Sequence, residues 1–135
     1  MENYLKNTLA TESQKQRREA QYQLAEEVAR LLMNHKEREG LHWKGTMTDL
    51  MEALHMTYET GRLTNDEGIC ESFLSIVRYV CLLLHVSIPY NPYELAARGT
   101  RRKGRQMTSY LDRYLYRMKR SREGLWHEIE GPTGI

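Results

Sequence analysis

The sequence predicts a mainly α-helical fold with a long N-terminal helix and at most two short strands. Apolar residues recur at helical spacing in several long segments, glycine and proline separate these segments, and only two brief stretches alternate as strands do. The chain has 135 residues, of which 40% are hydrophobic and 28% are charged. This length and composition are typical of one folded domain and exclude a disordered or collagen-like chain.

The N-terminal part of the chain predicts a helix over residues 11–36. The apolar residues that fall at helical spacing between its charged residues are Ala20, Leu24, Ala25, Val28, Leu31 and Leu32. Gly40 is expected to end this region. The stretch Leu41-His42-Trp43-Lys44 is short, alternating and aromatic, which predicts a strand.

Two capping boxes predict the starts of the next two helices. Thr46 would cap the second helix while Asp49 reaches back to it, and Gly61 would end that helix. Residues 64–67 form a second capping box. The segment that follows, as far as Leu84, would have apolar side chains on nearly every face of a helix. We therefore expect the third helix to be the central, most buried one.

The two cysteines, Cys70 and Cys81, fall in this third helix. Eleven residues at ~1.5 Å each separate them by ~16 Å, whereas a disulfide needs Cα atoms within ~7 Å. We therefore expect two small core residues. The first twenty residues lack the apolar core of a signal peptide, and the longest apolar run, residues 80–84, is far shorter than a membrane span. These features predict a cytoplasmic protein with no membrane partner.

The last third of the chain predicts a short helix, a long helix and a strand. A turn of helix is expected over residues 92–97 with Pro92 at its first position, followed by a helix from about residue 105 to 120. The clean apolar stripe of that last helix is Met107, Tyr110, Leu111, Tyr114, Leu115 and Met118. Residues 125–129 predict a second strand, which would pair with residues 41–44.

The net charge of +2 conceals one strongly basic segment. Residues 1–97 carry a charge of −4, residues 98–122 carry +9, and residues 123–135 carry −3. A segment this unbalanced indicates a surface for an anionic partner.

The basic residues of this segment form two candidate groups. The group placed in a glycine-flanked loop is Arg98, Arg101, Arg102, Lys103 and Arg105, and the row on the last helix is Arg113, Arg117 and Arg120. Thr108, with Thr100 and Ser109, would add hydrogen bonds to phosphate at the helix N-terminus. Because arginine binds phosphate and guanine with a fork of donors, this set predicts contact with double-stranded DNA. The alternative is a solvated helix face that acidic residues balance inside the fold or in a dimer.

No motif in the sequence predicts catalysis or a bound cofactor. The chain contains no nucleotide-binding loop, nucleophile elbow or zinc motif, and its five histidines are scattered without ligand spacing. We therefore expect no catalytic residues, no metal, no cofactor and no enzymatic activity.

Three segments resemble the RteC-like proteins. Residues 43–52 read Trp-Lys-Gly-Thr-Met-Thr-Asp-Leu-Met-Glu, which is similar to the Trp-x-Gly-Thr-x-Thr-x-Leu-x-Glu segment of that family. Gly61-Arg62-Leu63-Thr64 resembles its Gly-x-Ile-x turn between helices. Thr108-Ser109-Tyr110-Leu111-Asp112 resembles its Thr-x-(Phe or Tyr)-Leu-Asp segment near the C-terminal helix.

This resemblance implies a winged-helix-like helical domain at residues 41–125, between an N-terminal helix at residues 1–40 and a tail at residues 126–135. It also implies a DNA-binding regulator or accessory protein for the excision or transfer of a bacterial conjugative transposon. The residues themselves leave a second hypothesis open. A helical interaction module that forms a homodimer through its N-terminal helix, without binding DNA, fits the same pattern.

Overall fold

The computed structural model describes residues 2–102, 108–121 and 124–131, with side chains from residue 11 onward. The elements, in chain order, are α1 (Glu2–Asn34), β1 (His42–Trp43), α2 (Met47–Thr60), α3 (Phe73–Leu83), α4 (Pro92–Thr100), α5 (Tyr110–Arg120) and β2 (Ile129–Glu130). Short 3₁₀ helices, Glu37–Glu39 and Gly124–Glu128, precede the two strands. The mainly helical class with a long N-terminal helix is confirmed.

Helix α1 is longer than predicted, and its C-terminal half belongs to the core. It begins at Glu2 rather than at residue 11, and it ends at Asn34. Its buried apolar residues are Ala20, Leu24, Ala25, Val28 and Leu31. Of these, Ala20, Leu24, Val28 and Leu31 share one hydrophobic core with the helices that follow, whereas residues 11–19 are mostly exposed. None of the helices in the described ranges combines the length and apolarity that crossing a membrane requires.

Helix α2, not α3, is the central helix. As predicted, the Thr46 hydroxyl caps it by accepting a hydrogen bond from the Asp49 amide at 3.1 Å, and Gly61 ends it with a φ of 65°. Its buried residues are Asp49, Leu50, Met51, Glu52, Ala53, Leu54, Met56 and Thr57. Helices α1, α3, α4 and α5 all pack against it. The expectation that the third helix would be the central one is therefore wrong.

Residues 63–71 form a tight turn where the sequence predicted the start of the third helix. Thr64 and Cys70 face each other in an isolated antiparallel bridge. Between them, the Asn65 side chain accepts hydrogen bonds from the amides of Glu67 and Ile69 at 2.9 and 3.1 Å. A side chain that satisfies nearby backbone donors in this way competes with helix formation. The predicted capping box is therefore wrong, and Cys70 is exposed outside the helix.

Helix α3 begins nine residues after Thr64 and is amphipathic in the structure. Ser72 caps it, since its hydroxyl accepts a hydrogen bond from the Ser75 amide at 3.1 Å. Cys81 is buried, as predicted. The apolar side chains of Leu74, Tyr79 and Leu82 are about half exposed, so this helix covers one flank of α2.

Helix α4 extends beyond its predicted end because Gly99 is a packing residue. Pro92 lies at its first turn, as predicted. A Cβ atom added at Gly99 would lie 2.6 Å from Oε1 of Glu52 on α2, so the absence of a side chain allows the two helices to approach closely. Arg98 consequently lies within α4, and Arg101 is its C-cap. The expectation that both residues occupy a glycine-flanked loop is wrong.

The two short strands join distant parts of the chain, as predicted. They pair antiparallel, with His42 opposite Glu130 and Trp43 opposite Ile129. The second strand is shorter than expected, because residues 124–128 form a 3₁₀ helix. This pairing fixes the C-terminal segment beside the start of α2.

The Trp-x-Gly-Thr segment between β1 and α2 is a compact structural unit. The indole of Trp43 donates a hydrogen bond to the carbonyl of Thr46 at 2.9 Å. A Cβ atom added at Gly45 would lie only 3.0 Å from atoms of the same indole ring, so the ring packs closely against the backbone at Gly45. Trp43 is buried, so these residues set the angle at which the chain enters α2.

Candidate nucleic-acid interface

The N-terminus of α5, which lies in the basic part of the chain, is seated on a buried carboxylate. Oε1 and Oε2 of Glu52 accept hydrogen bonds from the amides of Tyr110 and Leu111 at 2.9 and 3.1 Å. The hydroxyl of Ser109 accepts from the Asp112 amide at 3.3 Å. The amides at this helix end therefore already have acceptors. Glu52 takes the place of an anion at these amides, whereas phosphate binding by the exposed Thr108 hydroxyl stays a prediction.

Burial makes the ionised form of Glu52 costly. Its side chain is fully buried, and this desolvation raises its pKa. The two backbone hydrogen bonds lower the pKa, the charge of Asp49 raises it, and the charge of Arg113 lowers it. Desolvation prevails, so the pKa of Glu52 stays above its ordinary value.

Asp49 holds two of the predicted DNA-binding arginines. Its Oδ1 accepts a hydrogen bond from Arg113 of α5 and lies 3.7 Å from Nη1 of Arg102, which follows α4. The prediction that Asp49 reaches back to Thr46 is therefore wrong, since its carboxylate turns to these guanidinium groups. Burial lowers the pKa of Arg113, but the hydrogen bond and charge of Asp49 outweigh this and raise it. The shared carboxylate places the end of α4 beside the first turns of α5.

Arg117, a third predicted DNA-binding residue, is tied to the C-terminal segment. Its Nη1 and Nη2 atoms lie 2.7 and 3.0 Å from the two oxygens of Glu128, and Nη2 also donates to the Gly124 carbonyl at 3.0 Å. The Tyr110 hydroxyl donates to Glu128 at 3.2 Å. Burial raises the pKa of Glu128, although the charge of Arg117 opposes this. Because its side chain is only 13% exposed, Arg117 mainly joins α5 to residues 124–130.

Glu27 of α1 completes the set of carboxylates that hold α5 and the C-terminal segment. It accepts hydrogen bonds from the Tyr114 hydroxyl and from the Leu125 amide, the latter at 2.9 Å. Gly124 has a φ of 53°, and a Cβ atom there would collide with the Glu27 carboxylate. Burial raises the pKa of Tyr114, and the hydrogen bond and charge of Glu27 raise it further. Tyr114 therefore stays a neutral donor.

The other predicted contact residues lie on the surface. Arg98 is exposed and pairs with Glu94 one turn earlier at 3.2 Å. Arg101 and Thr108 are exposed. Arg120 is exposed, and its guanidinium carbon lies 4.6 Å from the centre of the Tyr116 ring. Lys103 and Arg105, which complete the predicted set, lie outside the described residues.

An open groove of about 360 Å³ runs along the outer side of α5. It is lined by Thr108, Asp112, Arg113, Tyr116 and Arg117. Tyr116 is 59% exposed, and Asp112 forms an ion pair with Arg17 of α1. The groove thus joins an exposed aromatic ring to two arginines that buried carboxylates hold in place.

Tyr116 and the acidic partners of the arginines are not among the residues that the sequence patterns predict. Tyr116 is the one aromatic residue of α5 that does not belong to the helix's apolar stripe, which is a readable signal of an exposed ring. Glu52 interrupts a run of apolar residues in α2, which is a signal of a buried carboxylate. Its partners could not be read from the sequence, because they lie 58 and 59 residues away.

Comparisons with known proteins find no family model, no curated protein and no solved structure that matches this chain. The resemblance to the RteC-like proteins therefore stays a prediction. Two of the segments that carry it, residues 43–52 and 108–112, meet through the hydrogen bonds of Glu52. Within the described ranges, no group of three or more histidine, cysteine, aspartate or glutamate side chains is placed to hold a metal ion.

Proposed function

We propose that the protein binds DNA through a surface made by the end of α4 and the outer side of α5. This basic face consists of Arg98, Arg101, Thr108, Arg113, Tyr116 and Arg120. The observation that carries the proposal is the exposed Tyr116 ring with arginine on either side along α5, next to the arginines that end α4. Arginine with an exposed aromatic ring is a combination that suits phosphate and base together.

The charge of the basic face supports an anionic partner. Arg102 and Arg113 share the one carboxylate of Asp49, and the charge of Glu52 also acts on Arg113, so the excess positive charge of the face comes from its exposed arginines. Among the described residues, no carboxylate lies within 4 Å of the guanidinium groups of Arg101 and Arg120. A phosphate backbone that these side chains neutralise would release its condensed counterions.

The experiment that tests this function measures the affinity for a labelled duplex by fluorescence anisotropy at several salt concentrations. Each lost phosphate contact reduces the slope of log K against log salt by about 0.9. We expect Arg101→Ala with Arg120→Ala to reduce it by about 2. The matched control is Arg38→Ala with Arg78→Ala, which removes two exposed arginines from other surfaces. An equal reduction in both double variants, or none in the first, would contradict the proposal.

The RteC-like resemblance adds a cellular setting to this proposal, the control of excision or transfer of a mobile element. In that setting the chain would bind DNA of the element itself in preference to unrelated DNA. Competition with unlabelled duplexes from both sources would test it, and equal competition would remove the regulatory part of the proposal.

A second candidate function is a protein-interaction module. The observation in its favour is the exposed apolar side of α3, with Leu74, Tyr79 and Leu82, together with the exposed residues 11–19 of α1. Sedimentation velocity of the full chain over a range of concentrations tests it. Self-association that Leu74→Gln with Leu82→Gln abolishes, without salt-dependent DNA binding, would favour this function over the first.

A further inference from the structure

The groove on the outer side of α5 has the features of a site for one flat aromatic ligand. Its volume of about 360 Å³ lies at the lower end of the ~300–1,000 Å³ typical of small-molecule sites. Tyr116 and Arg113 both line it, and Thr108 lies at the same place. A planar ring, a planar guanidinium group and a hydroxyl are therefore available to one ligand.

The Tyr116 ring lies beside arginine side chains of the same helix, which leave part of it open. The guanidinium group of Arg120 lies 4.6 Å from the ring centre and covers one face. Arg113 is held by Asp49, and Arg117 is held by Glu128 and the Gly124 carbonyl. Since Arg120 covers a single face, the remaining face and the edge of the ring are what a ligand in the groove would contact.

We propose that the groove binds an unstacked nucleobase, so that the DNA that the basic face prefers is single-stranded. This inference rests on the proposed function, because the phosphates of the same strand would meet Arg101 and Arg120. Bases in a duplex are stacked on their neighbours, so their flat faces cannot reach Tyr116. A base in a single strand has a free face, and stacking on an aromatic side chain is worth ~1–3 kcal/mol per base.

The experiment compares a labelled twelve-nucleotide oligo-dT strand with a twelve-base-pair duplex of mixed sequence by fluorescence anisotropy. We expect Tyr116→Ala to weaken binding of the single strand about 5- to 150-fold, and to weaken binding of the duplex by a clearly smaller factor because its bases cannot stack on the ring. Tyr116→Phe keeps the ring and should bind the single strand as the unchanged chain does. The matched control is Tyr79→Ala, since Tyr79 is 50% exposed on another helix. Circular dichroism of each variant verifies the fold.

The outcomes separate this inference from the proposed function. The inference would be overturned, and the proposed function would stand, if the affinity for the single strand fell in the Arg101→Ala, Arg120→Ala variant but not in Tyr116→Ala. Equal weakening by Tyr79→Ala would also overturn it. Failure of both DNAs to bind the unchanged chain would overturn the proposed function and the inference with it.

Discussion

Glu52 is the single residue on which the position of the candidate interface depends most. It is fully buried, and it supplies both acceptors for the first two amides of α5. Its side chain also lies against Gly99 of α4. One carboxylate of α2 therefore positions both helices that carry the basic face.

The free energy of unfolding of Glu52 variants tests this role. We expect Glu52→Ala to lower the free energy of unfolding by about 2–4 kcal/mol, because two buried amides lose their acceptors. Glu52→Gln keeps one acceptor oxygen and should cost less. Urea unfolding followed by circular dichroism measures both. A Glu52→Ala variant as stable as the unchanged chain would show that the carboxylate does not hold α5.

The raised pKa of Glu52 predicts how stability depends on pH. An acid whose pKa is higher in the folded state than its unfolded value, near 4.5, binds more protons when folded. Its contribution to stability is therefore fully present below pH ~4.5 and is lost as pH rises through the folded-state pKa. As the pH falls from 7 to about 4.5, the unfolded value, the unchanged chain should gain stability relative to Glu52→Gln. Urea unfolding of both at these two pH values measures it, and a constant difference would contradict the assignment.

The sequence predicts the types of the candidate binding side chains better than it predicts their partners. Asp49 was recognised as a residue of the α2 capping box, but its carboxylate binds Arg113, which is 64 residues away. A capping pattern is local, and it carries no information on which distant cation competes for the same oxygen. Arg113 and Arg117 are for this reason partly internal, although their spacing on α5 is that of an exposed row.

Among the elements, α4 shows how packing overrides helix propensity. Gly99 lies in the last turn of α4, and within a helix alanine is favoured over glycine by about 1 kcal/mol. We expect Gly99→Ala nevertheless to lower the free energy of unfolding by about 1–3 kcal/mol, since the added Cβ would overlap Glu52. The control is Ala97→Gly at an exposed position of the same helix, where propensity alone should cost about 1 kcal/mol. A stabilised Gly99→Ala variant in thermal unfolding would contradict the close approach.

Elements with both a cap and a stop signal were predicted well, and elements with competing local signals were not. Helix α2 begins after Thr46 and ends before Gly61 in the structure, as the sequence predicts. For α3, the pattern of residues 64–67 is compatible with both a helix start and a turn. The turn forms because the Asn65 side chain accepts hydrogen bonds from two amides of the segment. The pairing of β1 with β2 was predicted from two weak segments, because few other strand candidates exist in the chain.

In the whole molecule, the basic segment divides into an internal part and a surface part. Arg102, Arg113 and Arg117 face the buried carboxylates Asp49 and Glu128. Arg98, Arg101 and Arg120 lie on the surface. The +9 charge of residues 98–122 is therefore larger than the positive charge exposed to a partner. The basic face contains only part of the basic residues of that segment. Burial of ion pairs is a tertiary property that no local pattern reveals.

DNA binding at the basic face can be observed residue by residue in an NMR titration of the ¹⁵N-labelled chain with oligo-dT and with duplex DNA. We expect the largest amide shift changes, lost again at high salt, at the end of α4 and on the outer side of α5, around Arg101, Tyr116 and Arg120. Shift changes confined to residues 11–19 of α1 or to α3, or none with either DNA, would show that DNA does not bind at the basic face.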